Sequence, residues 1–222
     1  MKRIFGLGSP LVETLSTIGD IICVSALWII FSLPIVTMGA SGTALYTTVY
    51  RCIRLNKAGI WKNFWNSFRD NFKVSTLAWL VELLVIAVLT LDAMVFRSLW
   101  KAGESMGSLY WVALVFWFAA LTWQVYVAAY IARFTGRVRE VLYFGIHLLR
   151  MHPLYALGMM LLLMGALALC LMSPVLVIFA PGAICWVSTF LLERVFRLHM
   201  RPEDLERETG GLHKNEDRRS AQ

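Results

Sequence analysis

Four polar side chains stand out because the residues around them are apolar: Asp20, Glu82, Asp92 and Gln124. A charged residue at the centre of a bilayer costs about 2.5 to 3.5 kcal/mol on insertion scales, so each acid needs a partner, water or a pathway. Asp20 falls near the inner end of the first apolar run and Glu82 well inside the third; Asp92 lies near that run's outer end, with Thr90 and Arg97 close enough to solvate it. Glu82 is nine residues from Lys73, and Gln124 is nine from Arg133. In adjacent antiparallel helices both then sit about 13 Å from the inner boundary, at about 1.5 Å per residue. The spacing predicts a Glu82–Gln124 hydrogen bond, serving either as polar adhesion between helices or as a proton or solute site.

Other chemistries find no foothold. Glu82 and Asp92 are ten residues apart, about 15 Å along one helix, too far for paired acid–base work. His147, His152, His199 and His213 form neither an H-x-x-x-H nor an H-E-x-x-H pattern, and Cys23, Cys52, Cys170 and Cys185 form no C-x-x-C. Neither a metal site nor a disulfide framework follows, and the cysteines read as reduced packing residues. With no Gly-rich phosphate loop and no nucleophile elbow, the sequence implies no enzyme and no cofactor.

The elements that must carry these residues are membrane helices. Hydrophobic residues make up 59% of the 222-residue chain and charged residues 16%, with a mean hydropathy of +0.65. The apolar residues come in long runs rather than alternating, and a bilayer core about 30 Å thick takes about 20 of them per helix. The expected fold is all-α: a polytopic membrane helical bundle of about six membrane-embedded helices, with five as the alternative, plus a basic interfacial amphipathic helix.

Residues 1–200 form a single domain in this reading. Membrane helices are expected at about 14–33, 35–54, 74–97, 107–133, 153–173 and 175–197, and interfacial helices at about 58–72 and 137–151. Pro181-Gly182 should kink the last helix. Residues 201–222 read as a charged cytoplasmic tail, largely disordered. The net charge of +7 sits in short segments beside apolar runs, which points to loop orientation and membrane lipids rather than to nucleic acid.

Loop charge sets the topology. Residues 51–73 carry six Lys and Arg, 133–152 carry four and the segment from Arg194 seven, against two in 97–106. The three rich segments belong in the cytoplasm. Lys2 and Arg3 put the N-terminus there as well, so 14–50 must cross an even number of times, and the apolar run is too long for a signal peptide and reads as an uncleaved first helix. Ser32-Leu33-Pro34 then marks a hairpin tip, followed by a second leg of small residues suited to close helix contact.

Two further patterns organise the chain. Trp61, Phe64, Trp65, Phe68 and Phe72 recur at helical spacing as one aromatic stripe opposite Lys62, Asn66, Arg69 and Asp70, an interfacial face or a partner surface. LYTTVYRCIR (Leu45 to Arg54) also resembles VYVAAYIAR (Val125 to Arg133): Tyr46 and Tyr50 match Tyr126 and Tyr130, and Arg54 matches Arg133 after a one-residue gap. An internal duplication or chance likeness of apolar helices both account for the match.

The run L-W-x-x-F-x-L-P-I-V-T-x-G (Leu27 to Gly39), followed by Ala44-Leu45-Tyr46 and by F-W-x-x-F-x-x-N-F-K (Phe64 to Lys73), resembles the YesL family of bacterial multi-pass membrane proteins. The distinctive motifs lie in the first 75 residues; the rest, to about residue 200, agrees in hydropathy and spacing. An Asn common a few residues before the Trp in that family is absent here, where Cys23, Val24 and Ser25 stand. The resemblance implies a domain of unknown function in the bacterial plasma membrane; the loop charges put both termini in the cytoplasm. It also implies association with carbohydrate uptake, through a sugar ABC transporter or another membrane partner. On this reading the chain is a non-catalytic accessory or assembly protein; the alternative is a small transporter or channel lined by Asp20, Glu82 and Asp92.

Overall fold

The computed structural model describes residues 10–55, 57–134 and 136–199. Lys2, Arg3 and the charged tail 201–222 lie outside the described residues. No strand occurs among those described, and the helices run in the order α1 (Pro10–Ser32), α2 (Met38–Thr48), α3 (Ile60–Lys101), α4 (Leu109–Arg133), α5 (Val138–Met151), α6 (Pro153–Met172) and α7 (Ala180–His199). Four segments are long and apolar enough to cross a membrane: Leu15–Ser32, Ile60–Lys101, Ser105–Arg133 and Pro153–Met172. The other two expected membrane helices are not among them: α2 has only 11 residues, and Glu193 and Arg194 enter α7.

α1 ends where Pro34 forbids a helical conformation to the residue before it. The chain turns through a 3-10 segment, Ile35–Thr37, in which Thr37 Oγ1 lies 2.7 Å from the Phe31 carbonyl and 2.8 Å from that of Pro34. α2 then runs back, and its last turn widens into a π-helical segment, Val49–Arg54. The expected helix over 35–54 is therefore three conformations in sequence.

The largest departure is α3. An interfacial helix over 58–72 and a separate membrane helix over 74–97 are replaced by one continuous helix of 42 residues, about 63 Å long at 1.5 Å per residue. Neither Gly nor Pro interrupts Ile60–Lys101, and Lys62, Arg69, Asp70 and Lys73 all lie exposed on the outside of the bundle. Charge marks where side chains meet solvent; it does not end a backbone hydrogen-bond ladder.

The α1–α2 hairpin packs against the first part of α3, and its tip is seated at Trp79. The indole Nε1 donates to the Ile35 carbonyl at 2.7 Å, and a Cβ on Gly39 would collide with Trp79 Cβ and the Ser75 carbonyl. α4 returns along α3: Trp111 meets Trp100 at a centroid distance of 6.3 Å, Trp117 Nε1 donates to Thr90 Oγ1 at 3.1 Å, and Val127 and Ile131 pack on Ala78. Beyond the hairpin tip the two helices expose apolar side chains, among them Leu84, Leu91, Met94, Val115 and Phe116.

α5 begins with the Glu140 carboxylate accepting the Arg137 N–H at 3.0 Å and buries Val141, Gly145 and Leu148, one stripe at helical spacing. α6 ends at Ser173-Pro174 as the turn signal predicts, and a 3-10 segment over 174–178 leads into α7. Pro181 starts α7 instead of kinking it, because a first-turn N–H has no partner to lose. Gly182 lets α7 touch α1: its N–H donates to Ser25 Oγ at 2.9 Å, and a Cβ there would meet the Ile21 carbonyl at 2.7 Å.

Candidate functional site

A helix without charge but rich in hydroxyl side chains, α2, is among the most buried. Gly39, Ala40, Ser41, Thr43, Ala44, Leu45, Tyr46, Thr47 and Thr48 of α2 are all buried. Their hydroxyls are satisfied inside the helix, Thr47 donating to the Thr43 carbonyl at 2.9 Å and Thr48 to the Ala44 carbonyl at 2.7 Å. Others reach across: Ser67 donates to Thr47 Oγ1 at 2.8 Å, Thr43 and Ser75 share a hydrogen bond of 3.0 Å, and Ser32 bonds Ser41. Small side chains and internally bonded hydroxyls allow α2 to sit at the centre with helices around it.

At its C-terminal end α2 meets a buried ion pair. Arg133 Nη2, on the last residue of α4, lies 3.2 Å from Glu193 Oε2 on α7, and the glutamate side chain is 1% exposed. Tyr46 donates to the other carboxylate oxygen at 3.2 Å, and the Arg133 guanidinium stacks 4.4 Å above the Tyr50 ring. Tyr46 of α2 and Arg133 of α4 thus converge on one acid of α7, with Tyr50 backing the arginine. Arg54 also reaches α7, its Nη1 donating to the Thr189 carbonyl at 2.7 Å while its guanidinium covers the Phe190 ring at 4.9 Å.

Glu193 was not among the candidates read from the sequence, because it stands in a charged stretch with Arg194 and Arg197 that resembles a cytoplasmic flank. The signal that could have found it is local. Leu192, Val195 and Phe196 around it are all buried, so this acid occupies an apolar helix face.

Glu82 and Gln124 lie at the common depth that their spacing implies, lining one crevice of about 10 Å³ with Gly39, Thr43, Ser75 and Trp79. The predicted hydrogen bond between them is not formed: Glu82 is 1% exposed, yet its Oε1 has no partner. Gln124 turns toward α2 instead, its Nε2 lying 3.6 Å from where a Cβ of Gly42 would be. Asp20 is half-buried and Asp92 exposed, and neither lines the crevice. The three acids of the transporter reading therefore do not share that cavity. Thr90 does not serve Asp92 either, since its hydroxyl donates to the Ile86 carbonyl at 2.7 Å and accepts from Trp117.

The four matched tyrosines diverge as well. Tyr46, Tyr50 and Tyr126 belong to one buried cluster, whereas Tyr130 packs on Phe134 and Phe144 with centroids 4.9 and 4.3 Å away. Nearby, an apolar cavity of about 270 Å³ opens among α1, α2, α4, α6 and α7, lined by Trp28, Leu45, Val125, Leu163 and Ile184. Among the described residues no three of His, Cys, Asp and Glu are grouped to hold a metal ion.

The aromatic stripe of α3 is used unevenly. Phe31 of α1 sits over it, 5.1 to 6.2 Å from the rings of Trp61, Phe64, Trp65 and Phe68. Phe64 is fully buried, while Trp61 is 60% and Trp65 42% exposed, their rings parallel and 6.4 Å apart. Phe72 is also exposed, in edge contact with Phe68.

A family model described as "Protein of unknown function, DUF624" matches residues 21–93, about a third of the chain. The matched segment holds about half of α1, the hairpin, the aromatic stripe and Glu82, and excludes Arg133 and Glu193. No curated protein and no solved structure matches the chain.

Proposed function

We propose that this chain is a non-catalytic protein of the bacterial plasma membrane, an accessory or assembly component associated with carbohydrate uptake, related to the YesL family. In this reading α1, α2, the outer part of α3, α4, α6 and α7 are the six membrane-embedded segments and both termini are cytoplasmic, as the loop charges call for. The reversal of the chain between α1 and α2 supports the even number of crossings that the loop charges call for.

One observation carries the accessory reading: Trp61 and Trp65 stand exposed and stacked on a helix that has already buried Phe64. Aromatic anchors held rigid from behind, on a helix that also exposes Lys62 and Arg69, suit a protein partner. The carbohydrate part rests on the sequence resemblance. Affinity purification from mild detergent should bring down components of a sugar transporter, and Trp61→Ala with Trp65→Ala should release them while the bundle stays folded. Recovery of a clean monomer or homo-oligomer from the wild type would sink this reading.

A further inference from the structure

Two apolar cavities lie side by side where α6 stands off from α7. One, of about 270 Å³, reaches Leu45, Val125 and Ser188; the other, of about 440 Å³, is walled by Leu161, Leu169, Phe179 and Val187. Cys170, Ala180 and Ile184 line both, so the two form one continuous space. Its depth shows in the exposure of its walls. Leu161 and Leu169, at the mouth, are 58% and 56% exposed, whereas Leu45 and Ser188, at the far end, are 6% and 0%. The space therefore runs from the outside of α6 to the side of α2, the helix at the centre of the bundle.

The gap follows from how α6 is held. Of its 20 residues only Ala156 and Met159, near its start, are buried. Further along, Leu161, Met164, Leu167 and Leu171 are exposed on a helix long and apolar enough to span a membrane, where the surroundings are hydrocarbon.

Polarity decides what stays out. Ser188 Oγ donates to the Cys185 carbonyl at 2.7 Å and the Tyr46 hydroxyl to Glu193 at 3.2 Å, so both are spent within the protein. Such walls do not hold water, which needs two to four polar partners at one point. A charged or sugar headgroup would lose its hydration there without replacement. Size decides the rest. A helix about 10 Å across takes on the order of 400 Å³ per turn, so the gap has room for about a turn or two and not for a spanning helix of a partner or a second copy. A flexible chain of methylenes suits both the width and the lining, and gains dispersion contacts with two helices at once. We propose that one acyl chain of a membrane phospholipid inserts tail first between α6 and α7, its end beside Leu45 and Val125 and its headgroup outside the bundle. The chain completes the packing of α6. The site is independent of the partner surface at Trp61 and Trp65, which lies at the start of α3.

The test uses the full chain reconstituted in vesicles of phosphatidylglycerol that carries a diazirine at the end of one acyl chain. After illumination, mass spectrometry of the digested protein should find adducts on Leu45 and Val125 as well as on Leu167 and Leu171, the lipid-facing controls. Ala180→Phe, which plugs the passage common to the two cavities, should abolish the first pair of adducts and leave the second. If that variant does not fold, Ala183→Phe, in the wall of the larger cavity, takes its place with the same expected loss. Adducts confined to Leu167 and Leu171 in the wild type overturn the proposal, as do adducts on Leu45 and Val125 that persist in a folded, plugged variant. Labelling of Leu45 and Val125 by a water-soluble diazirine and not by the lipid, the mark of a water-filled cavity, overturns it equally. So does protection of Leu161 and Leu169 from the lipid probe, the mark of a second copy or a partner helix over the mouth.

Discussion

The stretches Leu45–Arg54 and Val125–Arg133 look alike in sequence and end alike in space, each with an arginine that reaches α7 and stacks on an aromatic ring. They differ in what the arginine finds. Arg133 meets the Glu193 carboxylate at 3.2 Å, whereas Arg54 meets the Thr189 carbonyl at 2.7 Å. Their tyrosines differ in the same way: Tyr46 donates to Glu193, and the Tyr126 hydroxyl, equally buried, has no partner. Similar helices have been given unequal work, and the inequality follows from one acid on a third helix. A buried guanidinium demands a counter-charge; a half-buried one at the rim can use a backbone carbonyl and keep the rest of its donors toward water.

The strongest way to break this contrast is to remove the shared acid. Glu193→Ala should lower stability by about 3 to 5 kcal/mol, since Arg133 would be left buried without its counter-charge. Urea unfolding in detergent checks the loss, and the double change Arg133→Met with Glu193→Met should recover most of it. Tyr46→Phe, which takes one charge-assisted bond from Glu193, should cost about 2 kcal/mol in the same assay. Arg54→Met removes a carbonyl bond and a ring contact nearer the rim, and a loss of about 1 kcal/mol is expected. Tyr126→Phe should be the mildest, neutral or stabilising by about 0.5 kcal/mol, because it deletes a buried hydroxyl that bonds to nothing. A cost for Tyr126→Phe as large as that for Tyr46→Phe would erase the distinction between the two stretches.

Much of the architecture was legible where local signals were strong. Ser32-Leu33-Pro34 and Ser173-Pro174 mark turns because proline restricts the residue before it, and both turns are present. The depth match of Glu82 with Gln124 held because it needs only a helical rise and antiparallel neighbours. Their hydrogen bond failed because it also needs rotamers: Gln124 faces Gly42, a gap on α2 that linear spacing along α3 and α4 does not reveal. The continuity of α3 was hidden by Arg69, Asp70 and Lys73, whose charges looked like a loop at the membrane edge. Glu193 was hidden for the opposite reason, a buried charge disguised among exposed ones. In both cases the missing information was which face a neighbouring helix covers.

The seat of the hairpin tip on α3 has a mechanical consequence. Trp79 is 19 residues from Ile60 and 22 from Lys101, so the tight contact with Gly39 grips a stiff rod near its midpoint, with arms of about 28 and 33 Å. Gripped there, the rod is a balanced lever: a rocking of about 5° carries its two ends in opposite directions by roughly 2 to 3 Å each. Phe31 holds one arm at the tryptophans and Trp111 the other at Trp100, so any such tilt has to carry α1 and α4 with it.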